Sequence, residues 1–116
     1  MSTELVTVEP TATVAAAATV MGARQVGSAL VLEGERLAGI FTERDILRAL
    51  GTDFDAAGHT VAEWMSREPA TVEPGVSVTD AIDRMLEGGF RHLPVMDGDR
   101  LVGVVSLRDL SRGSGG

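Results

Sequence analysis

The sequence predicts a mixed α/β (α+β) fold: two tandem β-α-β-β-α repeats related by pseudo-two-fold symmetry. Three observations carry this expectation. The first is an internal period. A shift of 64 positions lays Thr7-Val8-Glu9-Pro10 on Thr71-Val72-Glu73-Pro74, then Val14, Ala17 and Met21 on Val78, Ala81 and Met85, and Gly39 on Gly103, without a gap. A fixed period across most of a chain marks a duplicated structural unit. The second is a pair of β-prone runs around a glycine turn in each copy. Ala29 to Leu32 and Leu37 to Phe41 flank Glu33-Gly34-Glu35-Arg36, while Leu93 to Met96 and Leu101 to Val105 flank Asp97-Gly98-Asp99-Arg100. Asp-Gly between apolar runs is a strong hairpin signal and Glu-Gly a weaker one. The third is helical spacing on either side of each hairpin, with apolar residues three and four positions apart.

Each element has a local reason. Thr7-Val8 and Thr71-Val72 are short β-prone segments stopped by a proline. Ser77-Val78-Thr79-Asp80 is a capping box opening a helix whose apolar face is Val78, Ala81, Ile82, Met85 and Leu86, ended by Gly88-Gly89. The matching face in the first repeat, Val14, Ala17, Ala18 and Met21, is made of smaller residues. After the hairpins come closing helices carrying Ile46, Leu47 and Leu50, and more briefly Leu107 and Leu110. The first repeat is expected over residues 1–50, a small polar connection over 51–60, and the second repeat with its lead-in helix over 61–113. Within that connection His59 reads as solvent-exposed. Thr60-Val61-Ala62-Glu63 is another capping box, and Trp64 in the short helix it opens reads as a packing anchor. The Ser- and Gly-rich end from Ser111 reads as disordered, with residues 114–116 set apart as the tail.

The 116 residues carry a net charge of −7, with no cysteine, no tyrosine and one tryptophan. Such a balance repels a nucleic-acid backbone and supplies no stacking platform, which argues against nucleic acid as a partner. The absence of cysteine excludes disulfides and thiolate metal sites and fits a cytoplasmic protein. Val14 to Met21 is too short to span a bilayer, so no membrane association is expected. Two histidines without carboxylates at ligand spacing make no metal site.

Chemistry is concentrated in a stretch that occurs twice: Gly39-Ile40-Phe41-Thr42-Glu43-Arg44-Asp45 and Gly103-Val104-Val105-Ser106-Leu107-Arg108-Asp109. A buried strand runs into a hydroxyl residue at the start of a helix, with an aspartate three positions on. Free N–H groups and the helix dipole at such a junction can hold a phosphate. The same Thr/Ser-x-x-Asp spacing is also a capping box, in which the aspartate only ties off its own helix. Arg44 and Arg108 lie inside the motifs, where they either reach an anion or stand solvated at a helix start.

The repeat order, the Thr-Val-x-Pro lead strand, the Leu93-Pro94-Val95-Met96-Asp97 strand and the Gly-h-h-Thr/Ser-x-x-Asp exit together resemble a tandem pair of cystathionine β-synthase (CBS) domains, over about residues 5–113. The segment Val61 to Ser66 resembles the helix that precedes such repeats. The resemblance implies a regulatory module without catalysis that binds an adenosine-containing ligand, AMP, ADP, ATP or S-adenosylmethionine, in clefts between the repeats, with no cofactor required. It implies ribose contacts from Asp45 and Asp109, phosphate contacts from Thr42 and Ser106, and adenine lying along the strands of Thr7 and Thr71. It also makes Arg91 and His92, which precede the second-repeat strand, phosphate-reaching candidates. Gly27-Ser28 stand there in the first repeat, so the second site is expected to matter more. A homodimer formed through the helices and an effector protein acted on in trans complete the implied partners. Two other readings stay open: a structural or dimerisation module whose nucleotide sites are degenerate, and an enzyme using Asp45 and Asp109 as paired carboxylates.

Overall fold

A computed structural model of the chain describes residues 5–52 and 57–114. The first repeat runs β1 (Thr7–Val8), α1 (Val14–Arg24), β2 (Ser28–Glu33), β3 (Arg36–Thr42) and α2 (Glu43–Thr52). A short helix α3 (Val61–Trp64) and strand β4 (Ser66–Arg67) follow. The second repeat supplies α4 (Val78–Gly88), β5 (His92–Asp97), β6 (Arg100–Ser106) and α5 (Leu107–Ser114). By contacts the chain forms two compact units, one of Val6–Glu68 and one that includes everything from Pro69 onward.

The helices begin and end where local chemistry dictates. Thr13 Oγ1 accepts the Ala16 N–H at 3.0 Å to open α1, and Ser77 Oγ accepts the Asp80 N–H at 3.1 Å to open α4. These bonds satisfy donors that a helix start otherwise leaves unpaired. α4 ends at Gly89 with φ 71°, whereas α1 ends at Gln25 with φ 56°, a left-handed turn that a side chain tolerates less well. Val14, Ala17 and Met21 on α1, and Ala81 and Met85 on α4, face the two cores.

The two hairpins have the same register. Ser28 pairs with Thr42 and His92 with Ser106, and each ladder shifts by one residue, after Val31 and after Val95. Both turn through a two-residue loop whose glycine, Gly34 or Gly98, has φ 64° or 65°. A positive φ confined to the first loop residue is the II′ pattern that matches strand twist. β1 joins β2 in parallel through Val8 and Val31. The second copy keeps the equivalent Val72–Val95 bridge but no full strand. The cause is Pro94. Leu30 donates its N–H to the Val6 carbonyl at 2.9 Å, and the residue in Leu30's place, Pro94, has no N–H to donate.

Strand β4 is absent from the sequence reading. It pairs with β3 through Gly39 and Ile40, and a Cβ on Gly39 would stand 2.6 Å from the Ser66 carbonyl oxygen and 2.8 Å from Met65 Sδ. Gly39 is thus required by backbone approach within the fold. Helix α3 packs in the first unit, although chain order puts it at the head of the second repeat. Val61 donates to the Ala12 carbonyl at 2.8 Å, Ala62 to Pro10 at 3.1 Å, and Val14 to His59 at 2.9 Å. Val61 and Met65 join Val14, Ala17, Met21, Ala29, Val31 and Phe41 in its core. The smaller core of the second unit is built on Val72, Ala81, Met85, Leu93, Val95, Val105 and Leu110.

Several expectations are corrected. α2 continues through Gly51 and Thr52, so the connection starts later than residue 51; residues 53–56 lie outside those described. The backbone at Ser111 to Ser114 is helical rather than disordered, and residues 115–116 lie outside those described. Leu47 and Leu86 are exposed at 72% and 68%, while Ala49 takes the buried place on α2. Their helices therefore cover less of the hydrophobic surface than helical spacing alone implies. His59 is half-buried, paired with Glu63 at 3.3 Å.

Candidate functional site

Each motif sits where a hairpin's last strand turns directly into a helix. Thr42 and Ser106 close their strands, and the helices start one residue later. The Glu43 N–H donates to the Gly27 carbonyl at 3.1 Å, and the Leu107 N–H to the Arg91 carbonyl at 2.8 Å. These bonds hold each helix start against the residue preceding the neighbouring strand. In the second repeat they bring Arg91, His92, Ser106, Arg108 and Asp109 to one end of the β5–β6 ladder. In the first they bring Gly27, buried Ser28, Thr42, Arg44 and Asp45 to the equivalent place. Arg91, Arg108 and Asp109 are exposed and His92 and Ser106 half-buried.

The two aspartates differ. Asp45 is 4% exposed and closes a reciprocal cap: the Thr42 N–H donates to its Oδ2 at 2.9 Å, the Thr42 hydroxyl to the same oxygen at 3.2 Å, and its own N–H to Thr42 Oγ1 at 3.4 Å. Arg48 donates to the other oxygen, Oδ1, at 3.2 Å. Asp109 makes only the backbone half of this cap, its N–H donating to Ser106 Oγ at 3.0 Å. Its carboxylate is exposed and takes no hydrogen bond among the described residues.

The adenine candidates are less alike than the period implies. Thr7 is exposed on β1. Thr71 is half-buried, its carbonyl accepting from Arg84 of α4 at 2.6 Å, and it lines a groove of about 580 Å³ toward the hairpin end with Glu73, Arg84 and Met96. Thr71 is the one predicted site residue in that groove. Sequence reasoning missed Arg48 and Arg84. The three-residue spacing from Asp45 to Arg48 was a signal for the first, since such residues are neighbours on a helix; nothing local pointed to the second. Among the described residues no group of three His, Asp or Glu could hold a metal ion, and no helix is long and apolar enough to cross a membrane.

Comparison with known proteins fixes the family. The CBS domain model matches twice, over residues 1–52 and 61–115. The chain belongs to the CBS domain family. It is 40% identical over 113 residues to the CBS domain-containing protein YhcV of Bacillus subtilis, covering 96% of this chain and 79% of that one. Among solved structures it resembles the CBS domain protein PAE2072 from Pyrobaculum aerophilum complexed with AMP, at a TM-score of 0.85 and 30% identity over 94% of this chain and 85% of the other. It also resembles the CBS domain pair of protein MJ0100 in complex with 5′-methylthioadenosine and S-adenosyl-L-methionine, at a TM-score of 0.90 and 26% identity over 99% and 91%. The expected mixed fold of two CBS repeats is thus the fold observed.

Proposed function

We propose that this CBS pair is a non-catalytic regulatory module that binds an adenosine-containing ligand, AMP, ADP, ATP or S-adenosylmethionine, chiefly through its second repeat. The observation that carries this reading is the cluster at the end of the β5–β6 ladder. Arg91, His92 and Arg108 supply basic groups beside Ser106 and the positive end of the α5 dipole, a setting suited to phosphate or another anion. The exposed Asp109 carboxylate has oxygens available for a vicinal diol, as a ribose presents. The AMP and S-adenosylmethionine complexes of similar structures support the choice of ligand class.

In the first repeat Thr42 and Asp45 serve each other, which makes that half the weaker site and leaves full degeneracy as the second reading for it alone. Thr7, Thr71 and Arg44 are secondary contacts in this proposal. The same proposal has the chain act in the cytoplasm as a homodimer on an effector protein. A ligand that binds only the folded state raises the melting temperature. Millimolar AMP or S-adenosylmethionine is therefore expected to raise it by several degrees, and no shift with any of the four ligands would overturn the reading.

A further inference from the structure

Asp45 is linked to the segment by which the chain leaves its first unit. Both of its oxygens are in use, Oδ2 by Thr42 and Oδ1 by Arg48. The Arg48 side chain is 60% exposed against 5% for Asp45. Its guanidinium carbon lies 5.7 Å from the ring centroid of Trp64, the last residue of α3. The position suits a cation–π contact, in which the indole face attracts the charge. The Trp64 indole N–H is buried and has no acceptor among the described residues. A buried donor without a partner is disfavoured, so this seat leaves the indole with a bond still to gain elsewhere.

We infer that Arg48 is a gate that couples the first-repeat motif to the connecting helix. With no ligand, Arg48 occupies Asp45 and lies over the Trp64 indole, while the backbone bonds and buried Val61 and Met65 hold α3 itself. A ligand that brings a vicinal diol to Asp45 competes with Arg48 for Oδ1, the oxygen that Thr42 leaves to it. Arg48 then loses the anchor that fixes it over the indole, and Trp64 is released. The first-repeat site is therefore the weaker one, and its occupancy is read out at the Trp64 side chain. The identity of the ligand rests on the adenosyl reading above; the linkage itself does not.

Trp64 is the only tryptophan in the chain, so tryptophan fluorescence reports the surroundings of this one side chain. The test is a cycle of ligand-free proteins, wild type, Arg48→Gln, Asp45→Asn and the double variant, followed by acrylamide quenching with folding checked by circular dichroism. Each single variant is expected to raise the quenching of Trp64 by a similar amount, and the double variant no further, because coupled residues are non-additive. Additive changes, or wild-type quenching in Asp45→Asn, would overturn the gate. If Asp45→Asn does not fold, Arg48→Gln in an Asp109→Ala background decides the matter. AMP affinity should tighten about tenfold when the competing charge-assisted bond is removed, and an unchanged or weaker affinity contradicts the gate. If AMP binds no variant, the adenosyl reading fails and the ligand-free cycle still decides the linkage.

Discussion

Asp45 and Asp109 hold the same place in the repeat and have opposite surroundings, one buried under Thr42 and Arg48, the other exposed. The pattern was legible because hydroxyl and aspartate three apart is a local signal. The burial was not, because it depends on how far α2 settles into a core assembled from distant elements. Gly39 teaches the same lesson. It opens the repeated motif, yet what demands it is β4, a strand that no local pattern announced. Gly39→Ala is expected to lower stability by about 1–3 kcal/mol, since a backbone carbonyl 2.6 Å from the new Cβ cannot turn away. Gly22→Ala is the control: it lies within α1, exposed, with no atom within 4 Å of an added Cβ. Losing helix-interior glycine flexibility should raise stability by about 0.5–1 kcal/mol there. Denaturant midpoints of the two variants check both signs.

At the scale of elements, hairpins, capping boxes and the helix order were readable because each is written within a few residues. The shrinkage of the second lead strand was readable in principle, from proline standing where a donor is needed, but only once the parallel pairing is known. Helix α3 has its own pH dependence. The Glu63 carboxyl is held below its ordinary value of 4.5, first by the Thr60 N–H donating to it at 2.7 Å and then by His59. A carboxyl depressed in the folded state stabilises above its unfolded pKa, and that contribution is lost as pH falls through the folded value. Trp64 emission should therefore change on acidification below 4.5 in the wild type. A Glu63→Gln protein should lack this transition, and an identical one in it would remove Glu63 as the cause. The proposed dimer also belongs to this scale. α1 presents exposed Ala16 and a 41%-exposed Val20, a thin surface on which two helices can approach closely. Ala16→Glu is expected to convert the dimer to monomer in size-exclusion chromatography with light scattering, and an unaffected dimer places the interface elsewhere.

At the scale of the whole molecule, the duplication made the fold legible, because a period compares the chain with itself. The same symmetry hid the inequality of the two halves. The expected asymmetry rested on Arg91 and His92; the structure adds a second reason, the engagement of Asp45. The proposed binding function turns on that difference. Calorimetric titration of AMP into wild type, Asp109→Ala and Asp45→Ala, with unfolding midpoints measured alongside, tests it most directly. The loss of a charge-assisted hydrogen bond should weaken binding by about ten- to a hundredfold in Asp109→Ala. Asp45→Ala should instead lower the unfolding midpoint with affinity nearly unchanged. Equal losses of affinity, or a greater one in Asp45→Ala, would contradict the account.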